Sequence, residues 1–520
     1  MANKTLFQPQ RGALVPATNV VNHHRSPAYA LPAKQALAQY AATGCLNTTF
    51  YASAEDQLKN VLALAKEVDA EFLAKTAVYT REEGFMKDMP AVLCAVLSGR
   101  DPQLLRKVFN RVLDDGKMVR NFVQVIRSGA VGRKSLGTVP KKLVQRWLES
   151  RTDEQLFRAS VGNDPSLVDV IKMVHPKPVN SQREALYGYL LGRQHNAELL
   201  PEVVKQFEAF KSAPSGQRGP VPDVPFQMLT ALDLGRNEWT AIAKHAPWQM
   251  TRMNLNTFAR HGVYEDQAMV KLVANRLADA EWIKRARAFP YQLLAAFRSA
   301  DDAVPALVRN ALQDAMEIAI DNVPRVAGKI YVCPDVSGSM STPVTGFRTG
   351  ATSSMRCIDV AALVAASILR QNPEAEVLPF EQQVVPIQLN GRDSVMTNAE
   401  KLAALGGGGT NCSAPLAELN RRKANGDLVV FISDNESWVD ARPGRGTATM
   451  EEWTKFKRFN PQARLVCIDI QPGATTQAAE REDILNVGGF SDRVFNVIAA
   501  FAEGSLAASH WTGVFDSVTL

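Results

Sequence analysis

The stretch Lys329-Ile330-Tyr331-Val332-Cys333-Pro334-Asp335-Val336-Ser337-Gly338-Ser339 joins an apolar strand to the pattern D-x-S-G-S. Two residues with similar oxygen chemistry follow: Thr410 comes after the glycine run 406–409, and Asp434 comes after the apolar run 427–433. Hard cations such as Mg²⁺ prefer carboxylate, hydroxyl and water oxygens. Open α/β sheets bind ligands at the carboxyl ends of their strands. The sequence therefore predicts a site for Mg²⁺, or another divalent cation such as Mn²⁺, formed by Asp335, Ser337, Ser339, Thr410 and Asp434.

The D-x-S-G-S pattern by itself is more typical of a serine-rich turn that caps a helix. The positions of Thr410 and Asp434, each following a predicted strand or glycine run, favour the metal site. The combined pattern of D-x-S-x-S, then T, then D resembles the metal-ion-dependent adhesion site of a von Willebrand factor A (vWA) domain.

The length and composition indicate a multidomain globular protein. A chain of 520 residues suggests about two to four domains, and 46% apolar with 22% charged residues is ordinary. No uncharged apolar run of about 18 residues occurs, so no transmembrane helix is expected. The first residues lack an apolar signal core, which favours the cytoplasm. The cysteines stand singly and are expected to be reduced thiols, at positions 45, 94, 333, 357, 412 and 467.

The hydrophobic pattern divides the chain into three parts. Residues 1–52, which contain no Asp or Glu, are predicted to form an amino-terminal arm that belongs to the helical domain. Residues 53–325 show helical periodicity with short connections, typical of a degenerate array of helical pairs. Residues 326–520 alternate predicted strands with helices, which indicates a doubly wound, Rossmann-like α/β domain. The strands are predicted at 329–334, 375–380, 427–433, 463–470 and 493–498, and the helices at 357–371, 413–424, 449–458 and 478–486.

Charge is distributed unevenly between the two halves. Residues 1–325 carry 42 Lys and Arg against 32 Asp and Glu, whereas the remainder carries 17 against 21. The excess of Lys and Arg in residues 1–325 favours a polyanionic partner for the first half alone.

Within the first half, residues 106–146 contain eleven Lys and Arg but only two acids. Lys and Arg beside flexible glycines and backbone amides are the groups that position phosphates. A solvated helix face is the alternative explanation. The candidate RNA contacts in this stretch are Lys117, Arg120, Arg127, Arg133, Lys134, Lys141 and Lys142.

Several segments, taken in order with the metal pattern, resemble the Ro autoantigen family, whose helical part is called the TROVE domain. They are Tyr79-Thr80-Arg81-Glu82 with Met86-Lys87-Asp88-Met89-Pro90-Ala91, Arg127-Ser128-Gly129 with Gly132-Arg133, and Asp169-Val170-Ile171-Lys172-Met173-Val174-His175-Pro176-Lys177-Pro178. The resemblance implies a HEAT-like helical ring followed by a vWA domain. It also implies a basic outer face that holds small structured Y-like RNA and a central hole that accepts single-stranded RNA ends. Bacterial members resemble adaptors that bring defective or precursor RNA to an exoribonuclease such as polynucleotide phosphorylase.

One departure from the family pattern lies before the third segment. Eukaryotic members carry Gly-Trp-Ser-His there, whereas this chain has Asn163-Asp164-Pro165-Ser166-Leu167. Contacts made by that Trp and His cannot be transferred, which leaves Arg158, Lys172, His175 and Lys177 as nearby candidates. For His175, a favourable position at a helix carboxyl terminus is an equally good explanation.

No catalytic motif is recognisable: the sequence has no P-loop, no G-x-S-x-G and no H-E-x-x-H. A nuclease would need further acids at the metal. A metal-dependent adaptor of an AAA-type ATPase would not need the basic stretch. We therefore expect a non-catalytic RNA-binding adaptor, monomeric and without membrane contacts, and keep the ATPase adaptor as the alternative.

Overall fold

The computed structural model describes residues 15–44, 46–162, 165–214, 217–286, 290–320, 323, 325–347, 355–441, 446–489, 492–505 and 510–520. The chain divides into two compact units. Residues up to 64 together with 320–517 form the α/β unit, and residues 65–319 with 518–520 form the helical unit.

The amino-terminal segment begins with two short strands and two helices. They are β1 (Val20–Val21), β2 (Pro27–Ala30), α1 (Ala33–Thr43) and α2 (Ala54–Glu67). Helix α2 starts at the predicted cap, where the Asp56 amide donates to Ser53 Oγ at 3.1 Å. Such a side-chain acceptor satisfies an amide that has no partner within the helix.

The helical unit consists of consecutive helices joined by short connections. They are α3 (Ala70–Glu82), α4 (Asp88–Arg100), α5 (Pro102–Val112), α6 (Gly116–Arg127), α7 (Thr138–Glu149), α8 (Asp153–Ala159), α9 (Leu167–Val174), α10 (Ser181–Leu190), α11 (Glu202–Ser212), α12 (Phe226–Leu229), α13 (Arg236–His245), α14 (Trp248–Met253), α15 (Leu255–Arg260), α16 (Gln267–Leu277), α17 (Ala280–Ala286), α18 (Pro290–Ser299) and α19 (Ala306–Ile320). Helix α4 is buried along most of its length because it packs against α3, α5 and α6. The predicted array of packed helices is confirmed.

The α/β unit is built on a five-stranded parallel sheet. Its strands are β3 (Ile330–Pro334), β4 (Glu376–Val377), β5 (Leu428–Ser433), β6 (Arg464–Asp469) and β8 (Ile484–Gly488), in the order β4-β3-β5-β6-β8. The helices are α20 (Cys357–Gln371), α21 (Val395–Ala403), α22 (Ala414–Arg421), α23 (Ala448–Phe459), α24 (Asp492–Ala502) and α25 (His510–Asp516). Alternate strand residues pack with α22 and α23, while α20 contacts β3 and β5. The predicted doubly wound fold is confirmed.

Two predicted elements near the carboxyl terminus are wrong. The predicted strand 493–498 is part of helix α24, whose residues 494, 495, 497, 498 and 501 are buried with helical spacing. The predicted helix 478–486 instead contains the start of β8, which pairs with β6. Short apolar runs fit both periodicities, and pairing with a distant strand decides between them.

The amino-terminal arm also differs from the prediction, since its described residues belong to the α/β unit and not to the helical unit. Strand β2 pairs with β7 (Thr475–Thr476) in a small antiparallel sheet that also includes β1. Helix α1 contacts β8, and Gln35 Nε2 donates to Asn486 O at 3.3 Å. The buried apolar face of α1 does not identify its partner in the sequence, because any apolar surface can cover it. Residues 1–14 of the predicted arm lie outside the described residues.

Across the described part of the chain, no helix combines the length and the apolar character needed to cross a membrane.

Candidate functional site

Asp335 occupies the first position after β3 and is fully buried. Its amide donates to Ile432 O at 2.9 Å, which fixes it against the end of β5. Its carboxylate accepts from the Ser337 amide at 2.8 Å and from Ser433 Oγ at 2.6 Å. The first predicted ligand is therefore held by both of the strands whose ends form this edge of the sheet.

The two serines connect Asp335 to the second carboxylate. Ser339 Oγ donates to Asp434 Oδ2 at 2.6 Å, and the hydroxyls of Ser337 and Ser339 lie 3.3 Å apart. All three residues are buried. The structure thus brings four of the five predicted ligands into one hydrogen-bonded cluster at the carboxyl edge of the sheet.

The glycine run before Thr410 binds the loop that holds Ser337 and Ser339. Gly407 N donates to Val336 O at 3.2 Å, and Gly338 N donates to Gly408 O at 2.9 Å. Gly406 has φ +106, and a Cβ there would lie 1.9 Å from Val336 O, so only glycine allows this close approach. Buried Thr410 accepts through its carbonyl from Trp438 N at 3.1 Å, which ties its loop to the one that follows β5.

The electrostatics of this cluster favour a bound cation. Burial is the main cause that raises the pKa of Asp335. Burial first, and then the Asp335 charge, raise the pKa of Asp434 to about 7. Two carboxylates in a buried site repel each other, and a divalent cation would offset this repulsion. Carboxylates and hydroxyls are also the donors that Mg²⁺ and Mn²⁺ prefer, so the residues present fit such an ion.

Sequence reasoning missed three residues of this site. Asp469 ends β6 at the same sheet edge, and burial raises its pKa well above the usual range. Asp469 follows an apolar run in the sequence, and this position could have identified it as a candidate ligand. Tyr51 and His23 come from the amino-terminal arm: Tyr51 OH donates to Asp434 Oδ2 at 3.4 Å, and His23 Nδ1 lies 2.9 Å from Glu436 Oε1. No local pattern pointed to these two.

The basic stretch forms a cleft in the helical unit. Its volume is about 510 Å³, and it lies beside the amino-terminal end of α7. Predicted RNA contacts that line it are Arg127, Lys134, Lys141 and Lys142, together with Ser135, Gly137, Thr138 and Gln145. Arg127, Lys134 and Lys142 are exposed and Lys141 is half-buried. Four of the predicted cations therefore converge on one cleft.

The end of α9 lies close to this cleft. Gln145 on α7 donates through Nε2 to Val174 O at 2.6 Å and to His175 O at 3.4 Å. His175 ends α9 in the left-handed conformation, and Lys172, His175 and Lys177 are exposed. These three candidates and the cleft therefore belong to neighbouring parts of one surface. Lys117 on α6 is also exposed.

Three predicted RNA contacts instead bind protein groups. Arg120 is buried, and its Nη1 donates to Gly162 O at 2.7 Å. Arg133 donates to the carbonyls of Ser98 and Ser135, at 2.9 and 3.0 Å, and to that of Leu136. Arg158 forms a paired contact with the carboxylate of Asp223, at 3.2 and 2.8 Å. The donors of Arg120 and Arg133 are engaged by protein carbonyls and those of Arg158 by an acid, so the structure favours a structural role for these three side chains over RNA contact.

Replacing Arg120 with Ala is expected to lower the stability of the helical unit and to leave RNA affinity unchanged. The hydrogen bonds from this guanidinium to the Gly162 and Gly116 carbonyls would be lost. Each hydrogen bond that involves a charged group contributes about 1.5–3 kcal/mol. Thermal unfolding followed by circular dichroism measures the loss. A variant with unchanged unfolding but weaker RNA binding would show that Arg120 contacts RNA after all.

Comparisons with known proteins match both units. The TROVE domain model matches residues 179–329, and the Ro60 vWA domain model matches residues 329–502. "RNA-binding protein RO60" of Deinococcus radiodurans is 24% identical over 516 residues, which cover 92% of this chain and 94% of that protein. The crystal structure of the Deinococcus radiodurans RO (RSR) protein is similar with a TM-score of 0.63 at 21% identity, covering 91% of this chain and all of that chain. The fold is therefore shared over nearly the whole length.

Proposed function

Because the chain belongs to the Ro family, with a TROVE domain followed by a Ro60-type vWA domain, we propose that it is a non-catalytic RNA-binding protein. The observation that carries this proposal is the convergence of Arg127, Lys134, Lys141 and Lys142 on one cleft. The similar Deinococcus radiodurans protein is named as an RNA-binding protein. The cleft precedes the segment matched by the TROVE model, so its role is argued from its own chemistry.

The cleft has the groups that bind phosphates. Its lysines and arginine supply positive charge, and Ser135 and Thr138 supply hydroxyl donors. The first amides of α7 have no acceptor within the helix, and no cap side chain binds them, since the cap residue is Gly137. An RNA backbone that crosses this cleft would meet both kinds of donor.

The proposed ligands are a small structured, Y-like RNA and the single-stranded 3′ ends of defective or precursor RNAs. The protein would act as an adaptor in RNA quality control or maturation and present such ends to an exoribonuclease such as polynucleotide phosphorylase. Unpaired ends suit a cleft, because their bases and backbone reach positions that a duplex cannot occupy.

A structured RNA with a single-stranded 3′ tail is expected to bind about tenfold more tightly than the same RNA with a blunt end, because the tail adds contacts in the cleft. Fluorescence anisotropy at several salt concentrations measures both affinities. Equal affinities, together with a salt slope near zero, would show that the basic stretch is only a solvated surface.

We also propose that the α/β unit binds Mg²⁺ or Mn²⁺. Asp335, Ser337, Ser339, Thr410 and Asp434 would hold the ion. When bound, the ion supplies a positive centre that can accept an anionic oxygen from a partner.

The proposed role is binding without catalysis. A two-metal nuclease would need several acids around its ions. The alternative, an adaptor of an AAA-type ATPase that works without RNA, would leave the basic cleft without a role.

A further inference from the structure

A third carboxylate, that of Glu436, lies beside the proposed metal centre on the loop after β5. Glu436 is buried, and its amide donates to Asp434 Oδ1 at 3.3 Å. Burial, followed by the charges of Asp335 and Glu436, raises the pKa of Asp434. Glu436 is therefore close enough to act on the centre electrostatically, although it is not one of the predicted ligands.

One residue of the amino-terminal arm binds both oxygens of this carboxylate. The His23 amide donates to Glu436 Oε2 at 3.0 Å, and His23 Nδ1 lies 2.9 Å from Glu436 Oε1. The hydrogen bond to Glu436 is the main cause that raises the pKa of the His23 imidazole. An imidazolium at this position balances the charge of Glu436 and engages an oxygen that a cation would otherwise compete for.

The turn that carries His23 is anchored by a different side chain. Asn22 is buried, and its Nδ2 donates to Ser437 O at 2.7 Å, on the loop after β5. Asn22 Oδ1 accepts from the amides of His24 and Ser26, both at 3.0 Å. Asn22 therefore shapes the turn and fixes it to that loop. Loss of the His23 ring would leave these hydrogen bonds in place.

The His23 ring is also held by Tyr51. The two rings stack with their centroids 5.2 Å apart and their planes at 24°. Phe50 contacts the Tyr51 ring edge-on at 4.9 Å, and Tyr51 OH donates to Asp434 Oδ2 at 3.4 Å. The arm thus contacts both acids of the loop after β5, Asp434 through Tyr51 and Glu436 through His23.

We propose that His23 determines which divalent cation the metal centre prefers: by engaging Glu436, it limits the centre to the carboxylates of Asp335 and Asp434 and so favours Mg²⁺ over Ca²⁺. The inference rests on the proposed metal centre. Mg²⁺ needs a compact octahedron, and it is usually bound through about one or two carboxylates and several waters. Ca²⁺ takes about six to eight oxygens at longer distances, and its affinity increases with the charge of the ligands.

A Glu436 side chain without its imidazole partner would change this balance. Its carboxylate would offer a third negative charge and further oxygens next to Asp434. Ca²⁺ accommodates such additional oxygens because its coordination is large and flexible, whereas the small Mg²⁺ octahedron does not. The identity of residue 23 is therefore expected to alter the ratio of the two affinities, and not merely the affinity for cations in general.

The test is calorimetric titration of the full chain, freed of metal by a chelator, with Mg²⁺ and Ca²⁺ in separate experiments. His23→Ala is expected to raise the Ca²⁺ affinity about tenfold and to change the Mg²⁺ affinity by less than about threefold. In the double variant His23→Ala/Glu436→Gln, the Ca²⁺ affinity should return to the wild-type value, because Gln has nearly the shape of Glu without its charge.

Two further variants serve as controls. His23→Asn keeps a side-chain amide that can donate to Glu436, so it should resemble the wild type more than His23→Ala does. His24→Ala removes the neighbouring exposed imidazole, and the backbone amide that binds Asn22 remains. This variant should bind both ions like the wild type. Thermal unfolding of each metal-free variant measures whether the arm and its loop stay folded.

The outcomes separate the selectivity from the metal centre itself. Normal Mg²⁺ binding with an unchanged Ca²⁺ affinity in His23→Ala would overturn the selectivity alone. An equal rise for both ions would show that His23 acts through its charge in general, which also overturns it. A fall for both ions with a lower melting temperature would assign His23 a structural role instead. No saturable Mg²⁺ or Mn²⁺ binding to the wild type would refute the metal centre and, with it, this inference.

Discussion

Replacing Ser337 and Ser339 together with Ala is expected to lower Mg²⁺ and Mn²⁺ affinity by at least about a hundredfold, as measured by calorimetric titration. The double change removes two hydroxyl ligands from the cluster. It also removes the hydrogen bond by which Ser339 orients Asp434 at 2.6 Å. The remaining groups would be two carboxylates and Thr410, and Asp434 would have lost its shortest hydrogen bond.

The same double variant is expected to stay folded. The strands around the site pack through apolar residues that the change does not touch, such as Val332, Val430 and Ile432. The lost hydrogen bond contributes about 1 kcal/mol. Ser367→Ala is the matched control, since this serine is also buried in the α/β unit and its hydroxyl donates to Leu363 O within α20. No saturable binding of either ion to the wild type at millimolar concentration would refute the metal centre itself.

Replacing all three of Lys134, Lys141 and Lys142 by Gln is expected to weaken RNA binding at least about tenfold at moderate salt concentration. Each phosphate contact to single-stranded RNA contributes about −0.7 to the slope of log K against log[salt]. Four to six contacts in the wild type give a slope of roughly −3 to −4. The triple change should therefore reduce the steepness by about two units and weaken all RNAs similarly, because phosphates carry no sequence information.

This set leaves out Arg133, although it neighbours Lys134 in sequence. Its guanidinium binds three backbone carbonyls, so its loss would alter the loop and confuse the result. The matched control is Lys244→Gln/Lys271→Gln/Lys284→Gln, which removes the same charge from exposed positions on α13, α16 and α17. Equal effects of both triple variants would show that the RNA responds to overall charge and not to the cleft.

The clustering of the proposed metal ligands was predictable because it follows from local rules. Asp335 and Asp434 each come directly after a buried strand, and the carboxyl ends of neighbouring parallel strands meet at one edge. The glycine run 406–409 could also be recognised in the sequence, but the sequence did not show why glycine is required there. Only the structure shows that Gly406 must lack a Cβ because Val336 O lies where that atom would be.

The arginines show where sequence reasoning ends. Arg120, Arg133 and Lys134 are all basic residues of the same stretch of sequence. In the structure Arg120 is buried, Arg133 binds backbone carbonyls and Lys134 is exposed on the cleft. A long guanidinium side chain can reach solvent or a distant carbonyl, and the choice depends on which carbonyls the fold leaves without donors.

The sequence by itself determined the two-part architecture and the side chains that meet at the sheet edge, because periodicity and strand-end position are properties of short segments. Only the tertiary structure decided that the arm belongs to the α/β unit, that residues 493–498 are helical, and that His23 and Tyr51 stand beside the cluster. Those outcomes depend on contacts between segments hundreds of residues apart. An apolar face or a polar side chain specifies that it needs a partner, and the packing of the whole chain selects which one it receives.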